Sequence, residues 1–90
     1  MSDRMPKEWA VMILIEETGD ETVARATMTI EGESVGGWGR ARKNRVDPSV
    51  PRIGDELAAA RALSDLSHRI LEVAAIEVDQ FSAGPVRLHP

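Results

Sequence analysis

The sequence predicts an α+β fold of two layers, in which a three-stranded antiparallel meander packs against one long C-terminal helix (β-β-β-α). Three observations favour this class. Two turn-forming segments separate three strand-like runs, a segment with two prolines follows the third run, and a helical apolar stripe occupies most of the remaining chain.

The first strand is predicted from the apolar run Trp9 to Ile15, which precedes the turn-forming segment Thr18 to Glu21. Both faces of this strand are apolar. Alternation places Trp9, Val11, Ile13 and Ile15 on the helix side and Ala10, Met12 and Leu14 on the other. An edge strand that is apolar on both faces invites association, so we expect a second copy of the chain to contact Met12 and Leu14.

The second and third strands are predicted from side chains that alternate in polarity along Thr22 to Glu31 and Ser34 to Lys43. A hairpin around Gly19-Asp20 pairs Ile13 with Ala26 and Ile15 with Ala24; one around Gly32-Glu33 pairs Ala26 with Gly39, Met28 with Gly37 and Ile30 with Val35. Both registers place apolar or small residues on one face, which a slip of one residue would destroy.

The helix is predicted from Ile53 to about Gln80, because Pro48 and Pro51 disfavour regular structure up to Arg52. Asp55 and Glu56 would then lie at its positive end. At about 100° per residue, one apolar stripe contains Ala59, Ala60, Leu63, Leu66, Ser67, Ile70, Val73 and Ala74.

Three consequences follow from this stripe. We expect Leu63, Leu66 and Ile70 to be buried against the sheet, and Arg61 and Asp65 to point away from it. The alanines of the stripe would face the glycines and alanines of the second and third strands. The helix axis should therefore approach the sheet closely at Gly37 and Gly39.

The length of 90 residues suffices for one domain, which we place at residues 8–81, with a flexible N-terminus (1–7) and a C-terminal tail (82–90). The net charge of −4 disfavours wholesale binding to nucleic acid. The absence of cysteine excludes a disulfide framework. No apolar region follows the N-terminal charges and no run is long enough to span a bilayer, so we expect a cytoplasmic protein without a membrane partner.

The strongest candidate site is a basic and aromatic patch on the sheet face opposite the helix. Alternation places Arg25, Trp38, Arg40 and Arg42 there, and Arg45 follows in the loop. Guanidinium groups bind phosphate or carboxylate, and an indole stacks on a base or a guanidinium. Two interpretations stay open: an anion or single-stranded nucleic-acid site, or a solvated face on which the indole lies under arginine side chains.

No catalytic constellation is recognisable, so neither an enzyme nor a cofactor is predicted. The chain has no cysteine, no tyrosine and no Gly-rich phosphate loop. His68 and Glu72 are spaced i, i+4 with Asp65 nearby, but two ligands do not complete a metal site. We interpret them as a surface hydrogen-bonding pair and expect no metal.

Two stretches resemble a small actinobacterial family of unknown function that includes mycobacterial and streptomycete proteins. They are IGDELA running into ARALSDL, from Ile53 to Leu66, and the preceding strand segment Val35-Gly36-Gly37. The resemblance covers roughly residues 12–78 and implies a fold similar to the double-stranded-RNA-binding domain. It does not transfer RNA binding, because Asp55 and Glu56 stand where such domains carry lysines that grip phosphates.

These observations favour a non-catalytic interaction domain that works as a homo-oligomer, with a dimer as the simplest form. Its contacts would involve Met12 and Leu14. The alternative is anion or single-stranded nucleic-acid binding through the arginine and tryptophan face.

Overall fold

The computed structural model describes residues 5–43 and 50–87, and the side chains of the second segment up to Ser82. Within these residues the elements are β1 (Met12–Thr18), β2 (Glu21–Ile30), β3 (Glu33–Arg42) and α1 (Pro51–Arg87). The strands form one antiparallel sheet in the order β1-β2-β3, and α1 packs on one face of it. The predicted β-β-β-α class is confirmed.

The first hairpin has the predicted register but different strand limits. Ile13 pairs with Ala26 and Ile15 with Ala24, as expected. However, β1 starts at Met12 rather than Trp9 and continues to Thr18. The turn consists of only two residues, Gly19 and Asp20, and Gly19 has a φ of 60°, which suits the first central position of a tight hairpin turn. The polar residues before the turn therefore remain in the strand.

The second hairpin is shifted by two residues from the predicted register. Its pairs are Met28 with Val35, Ala26 with Gly37 and Ala24 with Gly39, not Met28 with Gly37 and Ala26 with Gly39. The turn lies at Glu31-Gly32, with φ values of 51° and 83°, and two left-handed residues are typical of a type I′ turn. Because the shift is an even number of residues, every side chain keeps its predicted face.

Small residues form most of the core between the sheet and α1. The buried apolar residues are Ala24, Ala26, Met28, Ala41, Ala58, Ala62 and Leu66. Gly37 and Gly39 are buried as well. A Cβ atom on Gly37 would lie 2.6 Å from the Ala62 carbonyl oxygen, so the helix backbone almost touches the strand. The predicted close approach is confirmed.

The face of α1 that packs on the sheet differs from the predicted stripe by about one residue. Ala58 and Ala62 are buried, whereas Ala60 is exposed and Leu63 is 42 % exposed. The prediction that Leu63 is buried is therefore wrong, while Leu66 is buried and Ile70 is half-buried. The glycines of β3 explain the rotation, because the closest contact requires the smallest side chains of the helix.

The helix begins earlier and ends later than predicted. Proline lacks the N–H group that would be unsatisfied at the first helical position, so Pro51 starts α1 instead of preceding it. The first turn contains no acidic residue, and Asp55 and Glu56 lie beyond it. With 37 residues, α1 is about 55 Å long and exceeds the sheet, since a ten-residue strand spans about 33 Å.

Candidate interaction surface

The face of the sheet opposite α1 carries an exposed cluster of large side chains. In the observed register Leu14, Arg25 and Trp38 lie side by side across the three strands, and Met12 is in the neighbouring row. The exposed fractions are 71 % for Met12, 57 % for Leu14 and 52 % for Trp38. We call these four residues the outer cluster.

Arg25 and Trp38 form one unit within the outer cluster. The Arg25 guanidinium carbon lies 5.2 Å from the centre of the Trp38 ring, within the range of a cation–π contact. Arg25 is the direct cross-strand neighbour of both Leu14 and Trp38, so its aliphatic part lies in the row between them. The result is a continuous surface of apolar character with one positive charge.

The other arginines of the predicted patch have different surroundings. Arg40 forms an ion pair with Glu21, with 3.1 Å between its Nε atom and Glu21 Oε2. Arg42 is the direct cross-strand neighbour of the same glutamate. Arg45 lies outside the described residues. Glu21 therefore offsets part of the positive charge that was predicted for this face of the sheet.

The outer edge of β3 is closed by two side chains of α1. The Trp38 backbone N–H donates to Asp65 Oδ2 at 2.9 Å, and the Arg61 guanidinium donates to the Arg40 carbonyl oxygen at 2.7 Å. Asp65 is also 3.9 Å from the Arg69 guanidinium. These bonds occupy backbone groups that an edge strand otherwise offers to another chain.

The prediction that Arg61 and Asp65 point away from the sheet is wrong. They border the buried face of α1, and the contact at Gly37 and Gly39 brings the helix near enough for both to reach the β3 backbone. Two features of the sequence point to this contact: Arg61 and Asp65 are spaced i, i+4 on one side of the helix, and β3 is rich in glycine.

The edge of β1 lacks this protection within residues 5–43 and 50–82. β1 has a hydrogen-bonded neighbour, β2, on one side only. No hydrogen bond between described residues closes its other side as Asp65 and Arg61 close β3. Ile13 is half-buried, while Met12, Leu14 and Ile15 are exposed. Within the described part of the chain, the sheet therefore has one edge partly blocked by α1 and one open apolar edge.

Two carboxyl groups meet where the first hairpin turn reaches the start of α1. They are Glu17 and Asp55. Glu17 lines a cavity of about 190 Å³ together with Thr22, Arg42 and Gly54. A hydrogen bond from protonated Glu17 to Asp55, the like charge of Asp55 and partial desolvation raise the pKa of Glu17. Asp55 Oδ1 is buried and has no hydrogen-bond partner among the described residues.

Other chemical groups do not converge in the described part of the chain. No three His, Asp or Glu side chains there gather as a metal site requires. His68 Nδ1 lies 2.9 Å from the Ser64 carbonyl oxygen, one helical turn away, rather than bonding Glu72 as expected. No stretch of helix among the described residues has the length and apolar character needed to cross a bilayer.

Comparison with known proteins identifies relatives of this chain. The uncharacterised protein Mb1767 of Mycobacterium bovis is 41 % identical over 87 residues, which are 97 % of this chain and 93 % of the relative. Rv2632c of Mycobacterium tuberculosis is 36 % identical over 85 residues, 94 % of this chain and 91 % of the relative. The crystal structure of Rv2632c superposes with a TM-score of 0.85, covering 93 % of this chain and 100 % of that one.

The sequence model of the Rv2632c-like proteins matches residues 7–87, nearly the whole chain. The two mycobacterial relatives and the shared fold agree with that match, and with the actinobacterial family that the sequence resembles. This chain belongs to the Rv2632c-like family.

Proposed function

We propose that this chain is a non-catalytic interaction domain that works as a homo-oligomer through the open edge of β1 and the outer cluster. The observation that carries the proposal is the difference between the two sheet edges. Side chains of α1 bond the outward backbone of β3, whereas β1 presents Met12 and Leu14 to solvent. An open apolar edge is a site for strand pairing.

Antiparallel pairing of β1 with β1 of a second copy is the simplest arrangement. A two-fold axis brings the same strand from both copies together and satisfies the outward N–H and C=O groups of both. The two sheets then form one of six strands, and Met12 and Leu14 gain neighbours across the junction. Methionine, tryptophan and arginine are enriched in protein interfaces, which matches the composition of the outer cluster.

Replacement of Leu14 tests this proposal. We expect sedimentation equilibrium at micromolar concentration to give a dimer, or a higher even assembly, for the unmodified chain. Leu14→Lys should halve the mass, because a lysine on an edge strand opposes pairing. Thr29→Lys is the matched control, since Thr29 is exposed on the same face of the central strand, and its mass should not change. A monomeric unmodified chain, or no effect of Leu14→Lys, would refute β1 pairing.

A second candidate is anion or single-stranded nucleic-acid binding, supported by the Arg25 guanidinium held over the Trp38 ring. A base or phosphate could contact this pair, with Arg40, Arg42 and Arg45 nearby in sequence. The ion pair of Arg40 with Glu21 and the net charge of −4 weaken the attraction for a polyanion. A small phosphorylated ligand therefore fits better than a long nucleic acid.

Fluorescence titration tests the second candidate. If the site works, a single-stranded oligonucleotide or a phosphorylated ligand changes the Trp38 emission, and the affinity falls steeply with salt because phosphate contacts release counterions. Trp9→Phe removes the other indole, so that the signal comes from Trp38 alone. Arg40→Gln with Arg42→Gln should weaken binding with little loss of stability. If neither ligand binds at low salt, this candidate is refuted, and the arginines form only a solvated face of the sheet.

A further inference from the structure

The side of α1 away from the buried core contains an uncharged seam, whose first two positions, Ile53 and Leu57, also line the cavity at the first hairpin turn. Starting at Ile53 and ending at Phe81, its positions follow in alternating steps of four and three residues, the heptad spacing of helices that pack on each other. Large apolar residues lie toward the two ends, at Ile53, Leu57, Leu71, Val78 and Phe81. Small residues lie between them, at Ala60, Ser64, Ser67 and Ala74. All nine positions are exposed.

The charges of α1 avoid this seam. Nine Asp, Glu or Arg residues occur between Pro51 and Ser82, and none of them occupies a seam position. A helix that covers one face of a sheet normally places its charged residues on the opposite, solvated face. Here that face instead exposes Leu71 at 65 %, Val78 at 64 % and Phe81 at 82 %. The helix is thus apolar on two faces, and the sheet covers only one.

The order of large and small residues suits one arrangement of two copies. When two seams run antiparallel about an axis between Ser64 and Ser67, Ala60 meets Leu71 of the second copy, and Leu57 meets Ala74 of the second copy. Ser64 then faces Ser67, and Ile53 faces Val78, each from the other copy. The Ala60–Leu71 and Leu57–Ala74 layers each place one large side chain against a small one, and the Ile53–Val78 layer pairs two β-branched side chains. The helices can therefore keep an even separation of about 8–10 Å.

A parallel pair in register would fit less well. It would place Leu57 against Leu57 and Ala60 against Ala60 of the second copy, leaving a void beside a contact between two large residues. The antiparallel pair also sets opposite ends of the helix dipoles beside each other. Glu56 and Glu77 would approach each other at its rim, and salt screens such exposed repulsion.

We infer that the outer seam of α1 is a second self-association surface, which binds another copy of this chain by antiparallel helix packing. It is independent of β1, because it lies on the other layer of the fold. From Ile53 to Val78 the paired region is about 39 Å long, against about 23 Å for the seven residues of β1. Both contacts can form at once, which gives a closed assembly of four chains if their two-fold axes meet at a right angle and a larger even assembly otherwise.

Charge substitutions separate the two surfaces. Leu71→Glu places a carboxylate in two symmetry-related layers, so we expect the helix contact to weaken at least ~100-fold. Ile76→Glu is the matched control, because Ile76 is 58 % exposed, close to the 65 % of Leu71, but lies off the seam. Its dissociation constant should stay within about threefold of the unmodified chain.

The masses of the variants decide between the surfaces. If both contacts exist, the unmodified chain is a tetramer or a larger even assembly, Leu71→Glu and Leu14→Lys each give a dimer, and the double variant is a monomer. A dimer that only Leu71→Glu dissociates supports the seam and refutes the β1 contact. A dimer that only Leu14→Lys dissociates refutes the seam. A monomeric unmodified chain refutes both.

Disulfide trapping tests the direction of the helices. The chain has no cysteine, so each introduced thiol is the only one in its protomer. Ala60→Cys and Leu71→Cys, one carrying a mass tag, are oxidised separately and as a mixture. The antiparallel pair predicts a disulfide between the two variants in the mixture and little cross-linking of either variant alone. Cross-linking of each variant alone at the same rate, or no mixed product, would overturn the antiparallel arrangement.

Discussion

Gly39→Val should lower the melting temperature of the protein by a large amount, although valine has the higher strand propensity. A Cβ atom at Gly39 would overlap the carbonyl oxygen of Ala58 and the amide nitrogen of Ala62. Both are backbone atoms of α1, so no rotamer change can make room. Only displacement of the helix relieves the overlap, and we expect a cost at or above the usual ~1–3 kcal/mol of overpacking.

Gly36→Val is the matched control for this substitution. Gly36 lies on the same strand but faces away from α1, and its Cβ atom would meet the Thr27 Cγ2 atom at 3.5 Å and the Ala26 carbonyl oxygen at 3.6 Å. These are ordinary contact distances, so Gly36→Val should leave the melting temperature unchanged or raise it slightly. Equal thermal unfolding curves for the two variants would contradict the close approach of helix and strand.

Leu66→Ala should reduce the free energy of unfolding by about 2–5 kcal/mol, the cost of truncating a large side chain in a core. Leu66 is 2 % exposed and is the largest aliphatic side chain that α1 contributes to the buried cluster. The backbone of Leu66 already lies against Gly37, so helix and strand cannot move closer to fill the cavity. The measurement is urea unfolding followed by circular dichroism.

Leu63→Ala provides the comparison on the same helix. Leu63 is 42 % exposed, so the same truncation should cost under about 1 kcal/mol. Because association also stabilises a folded chain, both variants should be measured at one protein concentration. A larger loss for Leu63→Ala than for Leu66→Ala would show that the sheet packs on the stripe predicted from periodicity and not on the face described above.

The sequence predicted the order of the elements and the face of the sheet on which each strand side chain lies, because the strand period of two determines that face. It failed where one residue decides the geometry. In the second hairpin, Glu31 adopts a left-handed conformation that is unusual for glutamate, and this moves the turn away from Gly32-Glu33. In the helix, the apolar stripe is too wide to show which residues lie at the centre of the contact with the sheet. The close approach of α1 to the glycines of β3 determines that centre.

The candidate surface was predictable to a similar degree. The exposure of Met12 and Leu14 follows from alternation on an edge strand, and the structure agrees. The contacts of the arginines depend on register. The predicted register placed Trp38 opposite Thr27, whereas the observed one places it opposite Arg25. Composition and spacing could not reveal this difference of two residues, because both registers have the same face pattern.

A core made largely of alanine and glycine has a thermodynamic consequence. None of the large side chains is completely buried in the described part of the chain, so folding of one protomer removes little apolar surface from water. The heat capacity change of unfolding should be correspondingly small, since it scales with that surface. Much of the remaining apolar surface lies on β1 and on the outer seam of α1. Folding and assembly should then be one coupled equilibrium, in which the protein concentration sets the stability of the chain.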